Sequence, residues 1–295
     1  MSNRPNVLLL FSDEHRHDAM GCAGHERVKT PHLDALAENG TRFTQAFTPS
    51  PICVPARAAL ATGQYVHQNR CWSNAEAYSG DPVSWGHHLI EQGHRVDSIG
   101  KLHYRGGETH NGFEEEILPL YIRNGVGWIK GLLRDHEAFF DVSSYVREIG
   151  PGSDRYTDYD LGVTRAARQW LSDAGQAASE KPWVLFVSWL RPHYPLTCPP
   201  EYYDLYPLDK MDSARFVSDA ELPSHPVTRT IRRNFNYDDA FDDAGRQMAR
   251  ASYYGLCSFL DAQIGAVLDT LDQSGQADNT LVIYTSDHGD HNGDR

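Results

Sequence analysis

Asn6-Val7-Leu8-Leu9-Leu10-Phe11-Ser12-Asp13-Glu14-His15 changes character at one point. Its apolar run has no alternation, as expected of a strand covered on both faces in a parallel sheet, and it ends in polar side chains. The layout recurs further along. Arg95 to Ile99 leads into Gly100-Lys101, Trp183 to Trp189 into Arg191-Pro192-His193, and Thr280 to Thr285 into Ser286-Asp287-His288-Gly289. Helical spacing lies between these runs. Thr30-Pro31 opens a helix through Leu33, Leu36 and Ala37, with Gly40 just past its end. Ser84 to Gln92 (stopped by Gly93), Tyr159 to Ala174 and Ala244 to Leu271 follow. The alternation predicts an α/β fold: a doubly wound, mostly parallel sheet with helices on both faces. Ligands of such sheets bind outside the carboxyl ends of the strands, so four distant segments are expected to converge on one site. Glu114 to Arg155 and Pro199 to Asp243 have no clean period and are expected to be long excursions over that face.

Composition narrows the function classes. The chain has 295 residues and 40% hydrophobic content, enough for one large domain or one domain plus an incomplete second. A formal charge of −13 argues against nucleic acid or an anionic membrane as partner, because both require a basic surface. The first apolar run, Val7 to Phe11, is too short for a secretory signal, and no stretch reaches the length of a transmembrane helix. The five cysteines are widely spaced with no C-x-x-C pair, which fits a reducing compartment. A soluble cytoplasmic protein is the expectation.

The strongest local signal is Pro51-Ile52-Cys53-Val54-Pro55-Ala56-Arg57-Ala58-Ala59-Leu60-Ala61-Thr62-Gly63. Cys53 is placed just before a helix opened by Val54-Pro55, where unpaired N–H groups and the helix dipole favour an anion. A lone cysteine at such a junction is more often core. Asp13, Asp287 and His288 together suit a divalent cation with oxygen-rich ligation, Ca²⁺, Mg²⁺ or Mn²⁺, over a thiolate zinc site. Taken singly, either aspartate would read as a helix cap or turn former.

Read together, these segments resemble the sulfatases of the alkaline-phosphatase-like superfamily. Cys53 to Arg57 matches their C-x-P-x-R motif, with Thr62-Gly63 downstream, and differs from the C-x5-R loop of cysteine phosphatases. Gly100-Lys101-Leu102-His103 resembles the family's G-K-x-H segment, Asp287-His288-Gly289 its D-H-G motif, and Arg191-Pro192-His193 its segment bearing a histidine. Trp72-Ser73-Asn74-Ala75-Glu76-Ala77-Tyr78 sharpens the likeness to choline sulfatases and phosphonate monoester hydrolases. The resemblance runs from Pro5 to Arg295.

It implies that Cys53 is oxidised to formylglycine, whose hydrated aldehyde supplies the attacking oxygen, and that Arg57 holds that diol. Lys101 and His103 would contact the sulfate and the diol, with His103 as the base that removes the second diol proton. His193 would lie by the leaving-group oxygen, where an imidazole exchanges protons near neutral pH. Asn74 would face the sulfuryl or phosphoryl group, although it could equally make a turn. Asp13, Cys53, Asp287 and His288 would bind one divalent cation, Ca²⁺ ranked ahead of Mn²⁺ and Mg²⁺. Many members have Asp-Asp where this chain has Asp13-Glu14, so a role for Glu14 as ligand stays open. Members also continue past the D-H-G motif with a further lysine and a C-terminal subdomain. The expectation is an N-terminal catalytic domain, 1–295, cut short at Gly293-Asp294-Arg295.

The activity implied is hydrolysis of a sulfate monoester. A phosphonate monoester or phosphodiester hydrolase is the alternative within the superfamily, since one tetrahedral-anion site serves sulfur or phosphorus. A catalytically silent binding protein is the alternative outside it. A redox role for Cys53 is weak because no resolving cysteine lies nearby. Tyr104, Trp128, Tyr194 and Trp72 are candidates for an aromatic cage around a quaternary ammonium alcohol. The expected partners are a small anionic ester and a formylglycine-generating enzyme during maturation, with no nucleic acid, no membrane, and a homo-oligomer left open.

Overall fold

A computed structural model describes residues 4–127, 147–176, 181–211, 225–226, 229–230, 234–235 and 241–292. Along these the chain forms β1 (Asn6–Asp13), α1 (Pro31–Glu38), α2 (Cys53–Thr62), α3 (Val66–Asn69), α4 (Trp85–Glu91), β2 (Arg95–Lys101) and β3 (Glu115–Leu120). It continues with β4 (Gly150–Pro151), α5 (Arg155–Gln176), β5 (Trp183–Pro192), β6 (Thr197–Cys198), α6 (Pro200–Tyr203), α7 (Asp243–Gln273) and β7 (Thr280–Ser286).

Five strands form one sheet in the order β3-β2-β5-β1-β7, every described pairing parallel. The unalternated apolar runs are explained by cover on both sides. Leu8 and Leu10 of β1, with Leu185, Val187 and Trp189 of β5, pack against Val163, Ala167 and Leu171 of α5 and Leu260, Ile264 and Val267 of α7. The intervening residues Phe11, Val184 and Phe186 face Ala58 and Ala61 of α2, with Leu89 and Ile90 of α4 against the same cluster. This is the doubly wound α/β arrangement the sequence predicts.

Several boundaries differ from the sequence reading. β2 and β5 run on through Lys101 and Pro192, so Lys101 and Arg191 lie within the strands' last residues and His193 directly after. Helix α1 ends at Glu38 with Asn39 at its cap, which leaves Gly40 just past its end as expected. The segment Glu114 to Arg155 is not wholly an excursion, because Glu115–Leu120 adds to the sheet as edge strand β3. That run carries two glutamates and Pro119, and an edge position is where proline is tolerated in a sheet. β4 and β6 pair as a separate two-stranded ribbon. Trp128, much of both expected excursions, and Gly293-Asp294-Arg295 lie outside the described residues. No helix among the described residues is long and apolar enough to cross a membrane.

Candidate active site

The register of the parallel ladder gathers the polar strand ends. Ser12 pairs with Ser286 and Asp13 with Pro192, so the ends of β1, β5 and β7 come level. Asp287 N–H then donates to the Ser12 carbonyl at 3.3 Å, which sets Asp287 beside Asp13. On the other side of β5, Gly100 pairs with Ser188 and delivers Lys101 to the same place. Gly100 has φ +101°, and a Cβ there would run into the Ser188 carbonyl, so only glycine makes this bend.

Cys53 enters from the face above the sheet as the first residue of α2, not just before it. Its Sγ is buried, 3.4 Å from Asp13 Oδ1 and 3.4 Å from His288 Nε2. The Asn74 side chain carbonyl accepts Val54 N–H at 3.1 Å, so Asn74 borders the site by capping the helix that carries Cys53. Its role is therefore more than a turn, and its oxygen is engaged with the backbone.

Arg57, one turn along α2, is 2% exposed, and each of its three side-chain nitrogens is bonded. Nη2 donates to Asp13 Oδ2 and Nε to Asp287 Oδ2, both at 2.9 Å, while Nη1 donates to the Lys101 carbonyl at 2.7 Å and to Ser188 Oγ at 3.0 Å. In this structure its guanidinium organises the carboxylates; no bond to the Cys53 side chain is formed. Lys101 Nζ makes a short ion pair with the same Asp13 Oδ2. Burial raises the cost of ionising Asp13, but Lys101 and Arg57 outweigh it and hold the carboxyl well below its ordinary range. Burial and the neighbouring Asp13 instead push Asp287 up to about 6. Burial, and then the charges of Asp13 and Asp287, push the Cys53 thiol well above its ordinary range.

Two overlapping sets of donor atoms lie within 4.8 Å of one another: Asp13, Cys53, Asp287 and His288, and Asp13, Glu14, Cys53 and His193. The first is the ligand set implied by the resemblance. His288 Nδ1 lies 2.9 Å from the Gly289 carbonyl, which can only accept, so Nδ1 carries the hydrogen and Nε2 presents its lone pair to the cluster. Asp287 Oδ1 accepts from the N–H groups of Glu14 (3.1 Å) and His288 (2.9 Å), fixing that carboxylate. Glu14 adds a buried Oε2 that has no hydrogen-bond partner, and burial followed by the charge of Asp13 raises its pKa well above the carboxylate range. Two carboxylates, one lone-pair nitrogen and an orphaned third carboxylate oxygen fit a hard divalent cation.

His193 Nε2 lies 4.0 Å from Asp13 Oδ1 and 3.9 Å from Glu14 Oε1. Its Nδ1 donates in a short bond to the Tyr194 carbonyl, which leaves Nε2 as the site-facing atom. Burial lowers its pKa to about 4, so the ring is neutral in the free protein. His103 has φ +59° and a buried Nδ1 without a partner; burial, then Lys101, holds it neutral as well.

Asp13, Cys53, Arg57, Asn74, Lys101, His193, Asp287 and His288 therefore meet at one place, with His103 close enough to feel Lys101 and Arg57, while of the aromatic candidates Trp128 lies outside the described residues. Tyr104 is 5% exposed and packs edge-on against Tyr78 at 4.9 Å inside the core, so it is not available to a ligand cage. Trp72 and Tyr194 are 58% and 44% exposed, and Tyr194 stacks on His193 at 4.3 Å. The sequence reading missed Ser188, Asp160 and Asp154, whose partners are distant in sequence.

Comparison with known proteins bears on this geometry. The chain is 29% identical over 320 residues to the choline-sulfatase of Rhizobium meliloti (strain 1021), covering 100% of this chain and 59% of that protein. In structure it is similar to the phosphonate monoester hydrolase of Agrobacterium radiobacter (TM-score 0.77, 24% identity). It is also similar to the phosphonate monoester hydrolase of Silicibacter pomeroyi (TM-score 0.73, 25% identity). Each of these matches covers 99% of this chain and 64% of the other. The chain thus spans about three fifths of the length of these relatives. The sheet and its helices agree with the alkaline-phosphatase-like fold that the resemblance implied. The family model described as Sulfatase matches residues 5–294, which hold every strand of the sheet and its polar rim, and the chain belongs to the sulfatase family.

Proposed function

We propose that this chain is the catalytic domain of an enzyme that hydrolyses sulfate monoesters, using formylglycine made from Cys53 and one divalent cation. The observation that carries the reading is the position of Cys53 Sγ, 3.4 Å from both Asp13 Oδ1 and His288 Nε2 at the start of α2. The Cys53 sulfur stands in for the oxygen that the oxidised residue would carry at that place. Because the chain spans 59% of the choline-sulfatase, the activity of a whole protein is part of the proposal.

Asp13, Asp287, His288 and the oxygen at position 53 are the proposed ligands, with Glu14 supported as a further one by its orphaned oxygen. Ca²⁺ is ranked ahead of Mn²⁺ and Mg²⁺. A bound cation would lower the pKa of a hydroxyl beside it and so supply a nucleophile at neutral pH. Lys101, no longer needed to neutralise Asp13, then offsets charge on the sulfuryl oxygens. His193 is neutral in the free protein, so Nε2 first accepts the proton released by the attacking hydroxyl. It passes that proton to the alcohol as the sulfur–oxygen bond breaks. His103 would remove the proton from the remaining hydroxyl of residue 53 so that sulfate can leave, and would then release that proton to solvent. Arg57 holds Asp13 and Asp287 in register through these steps, and Asn74 sets the start of α2. A small anionic ester as substrate, a formylglycine-generating enzyme as maturation partner and a cytoplasmic location belong with this reading.

Peptide mass analysis of the tryptic segment Phe43 to Arg57, from protein produced with an active formylglycine-generating enzyme, tests it. An aldehyde or its hydrate at Cys53 is expected. A persisting thiol would overturn the mechanism and favour a catalytically silent binding protein. The similarity to two phosphonate monoester hydrolases supports a second reading, hydrolysis of phosphorus esters at the same site. Turnover of an aryl sulfate against an aryl phosphonate monoester, at equal cation and pH, separates the two.

A further inference from the structure

The ladder between β1 and β5 is regular from Val7↔Val184 to Phe11↔Ser188 and then jumps to Asp13↔Pro192. Two steps along β1 thus oppose four along β5, a bulge of the kind that re-aims side chains beside active sites. The bulge takes the Leu190 and Arg191 N–H groups out of the ladder in a fully buried stretch, where an unpaired donor is costly. Asp160 of α5, 0% exposed, accepts both: Oδ1 from Leu190 at 2.8 Å and Oδ2 from Arg191 at 2.9 Å. The Arg191 side chain, also 0% exposed, turns back under the following loop. Nη1 donates to the carbonyls of His193 (2.9 Å) and Pro195 (2.7 Å); Nη2 donates to Thr157 Oγ1 (2.9 Å) and the Thr197 carbonyl (3.3 Å) and pairs with Asp154. Three carbonyls of one short loop are thus gathered on one planar cation, which a lysine ammonium cannot reproduce.

We propose that Asp160 and Arg191 are positioning residues for His193: the bulge they stabilise fixes the loop that aims His193 Nε2 at the reacting group. The inference rests on the proposed proton transfer by His193. Neither residue has a bond to Cys53, Asp287 or His288, so their effect on chemistry runs through the 191–197 loop. Orientation is set twice, once by the Arg191 bond to the His193 carbonyl and once by the His193 bond to the Tyr194 carbonyl.

The test uses Arg191→Lys, Asp160→Asn and His193→Gln in the formylglycine-containing, cation-loaded enzyme. Substrates are an aryl sulfate with a good leaving group and one with a poor one, because only the poor one needs a proton from His193. General acid–base assistance contributes on the order of 100-fold or more, so Arg191→Lys is expected to lower kcat for the poor leaving group by about that factor. The loss for the good one should be a few-fold, with KM little changed. The double variant with His193→Gln should lose no more than His193→Gln alone, since residues acting as a unit are non-additive. Histidine ring nitrogen NMR gives a readout independent of turnover. Wild type should show a single Nδ1–H form of His193, and Asp160→Asn and Arg191→Lys should mix the two tautomers. Equal losses on both esters, additive losses in the double variant, or an unchanged tautomer would overturn the proposal. If the wild type turned over neither ester, the hydrolase reading would fail, while the tautomer measurement would still decide the positioning. If Arg191→Lys does not fold, Asp160→Asn carries the same readouts.

Discussion

Arg57 Nη2 donates to Asp13 Oδ2 at 2.9 Å between side chains that are 2% and 0% exposed. The same guanidinium reaches Asp287 Oδ2, so one buried cation joins carboxylates from the first and last strands of the sheet. Removing one partner of such a pair leaves an uncompensated buried charge at a cost of about 3–5 kcal/mol. Arg57→Met should therefore lose stability of that order in cation-free protein, read from urea unfolding. A divalent cation should restore part of it by taking over neutralisation of the carboxylates.

Cation affinity should follow the donor set. His288→Ala and Asp287→Asn are each expected to weaken Ca²⁺ or Mn²⁺ binding by at least tenfold in calorimetry, and Glu14→Gln by a smaller factor. Affinity unchanged in both His288→Ala and Asp287→Asn would remove the site from this cluster. Disruption of bonds that only orient ligands commonly costs 10–100-fold, so direct ligands should not cost less.

Gly100→Ala places a Cβ against the Ser188 carbonyl at a residue with φ +101°. A residue forced into such a conformation costs about 1–3 kcal/mol, before the collision is counted. The expected result is a lower melting temperature together with loss of turnover, because the bend also delivers Lys101. Wild-type stability with full activity would show that the bend is dispensable.

Asp261 of α7 accepts the N–H groups of His32 (3.1 Å) and Leu33 (2.8 Å) at the start of α1. Burial outweighs these bonds and raises its pKa above the ordinary value of 3.8. A carboxyl whose folded pKa is raised holds its proton more tightly in the native state. It contributes stability in full below the unfolded pKa and loses it as pH rises through the folded one. Unfolding free energy should thus carry a falling component upward from about pH 4, and Asp261→Asn should flatten it. A slope identical in the two proteins would sink this account.

Much of this was legible in the sequence because β1, β5 and β7 are short, largely apolar runs that give way at once to polar residues, and β2 ends in Gly100-Lys101. That pattern alone places Asp13, Lys101, His193 and Asp287 at one end of a sheet. Cys53 was recognisable through the local string around it, with its helix start marked by Pro55. What could not be read were partners set by register alone. Ser188 sits inside an apolar run and meets Arg57 across 131 positions. Asp160 looks like an ordinary polar residue of an amphipathic helix, and only the bulge in β5 gives it two donors. β3 was hidden because its charged, proline-containing pattern suits a sheet edge rather than a buried strand. Tyr104 misled for the converse reason: it follows a functional segment but turns into the core.

The strand order has a consequence for how the molecule is made. β1 precedes every other described strand, yet both of its neighbours, β5 and β7, come much later in the chain. Until they emerge from the ribosome, Val7 to Phe11 is an unpaired apolar edge, the kind of segment that invites association with other chains. The cluster around Asp13 is likewise incomplete until Asp287 and His288 arrive, so a nascent chain has no such cation site before then. Non-local parallel pairing of this kind is slow to form. Yield in the cell should therefore depend on shielding the N-terminal strand during that interval as much as on the stability of the finished fold.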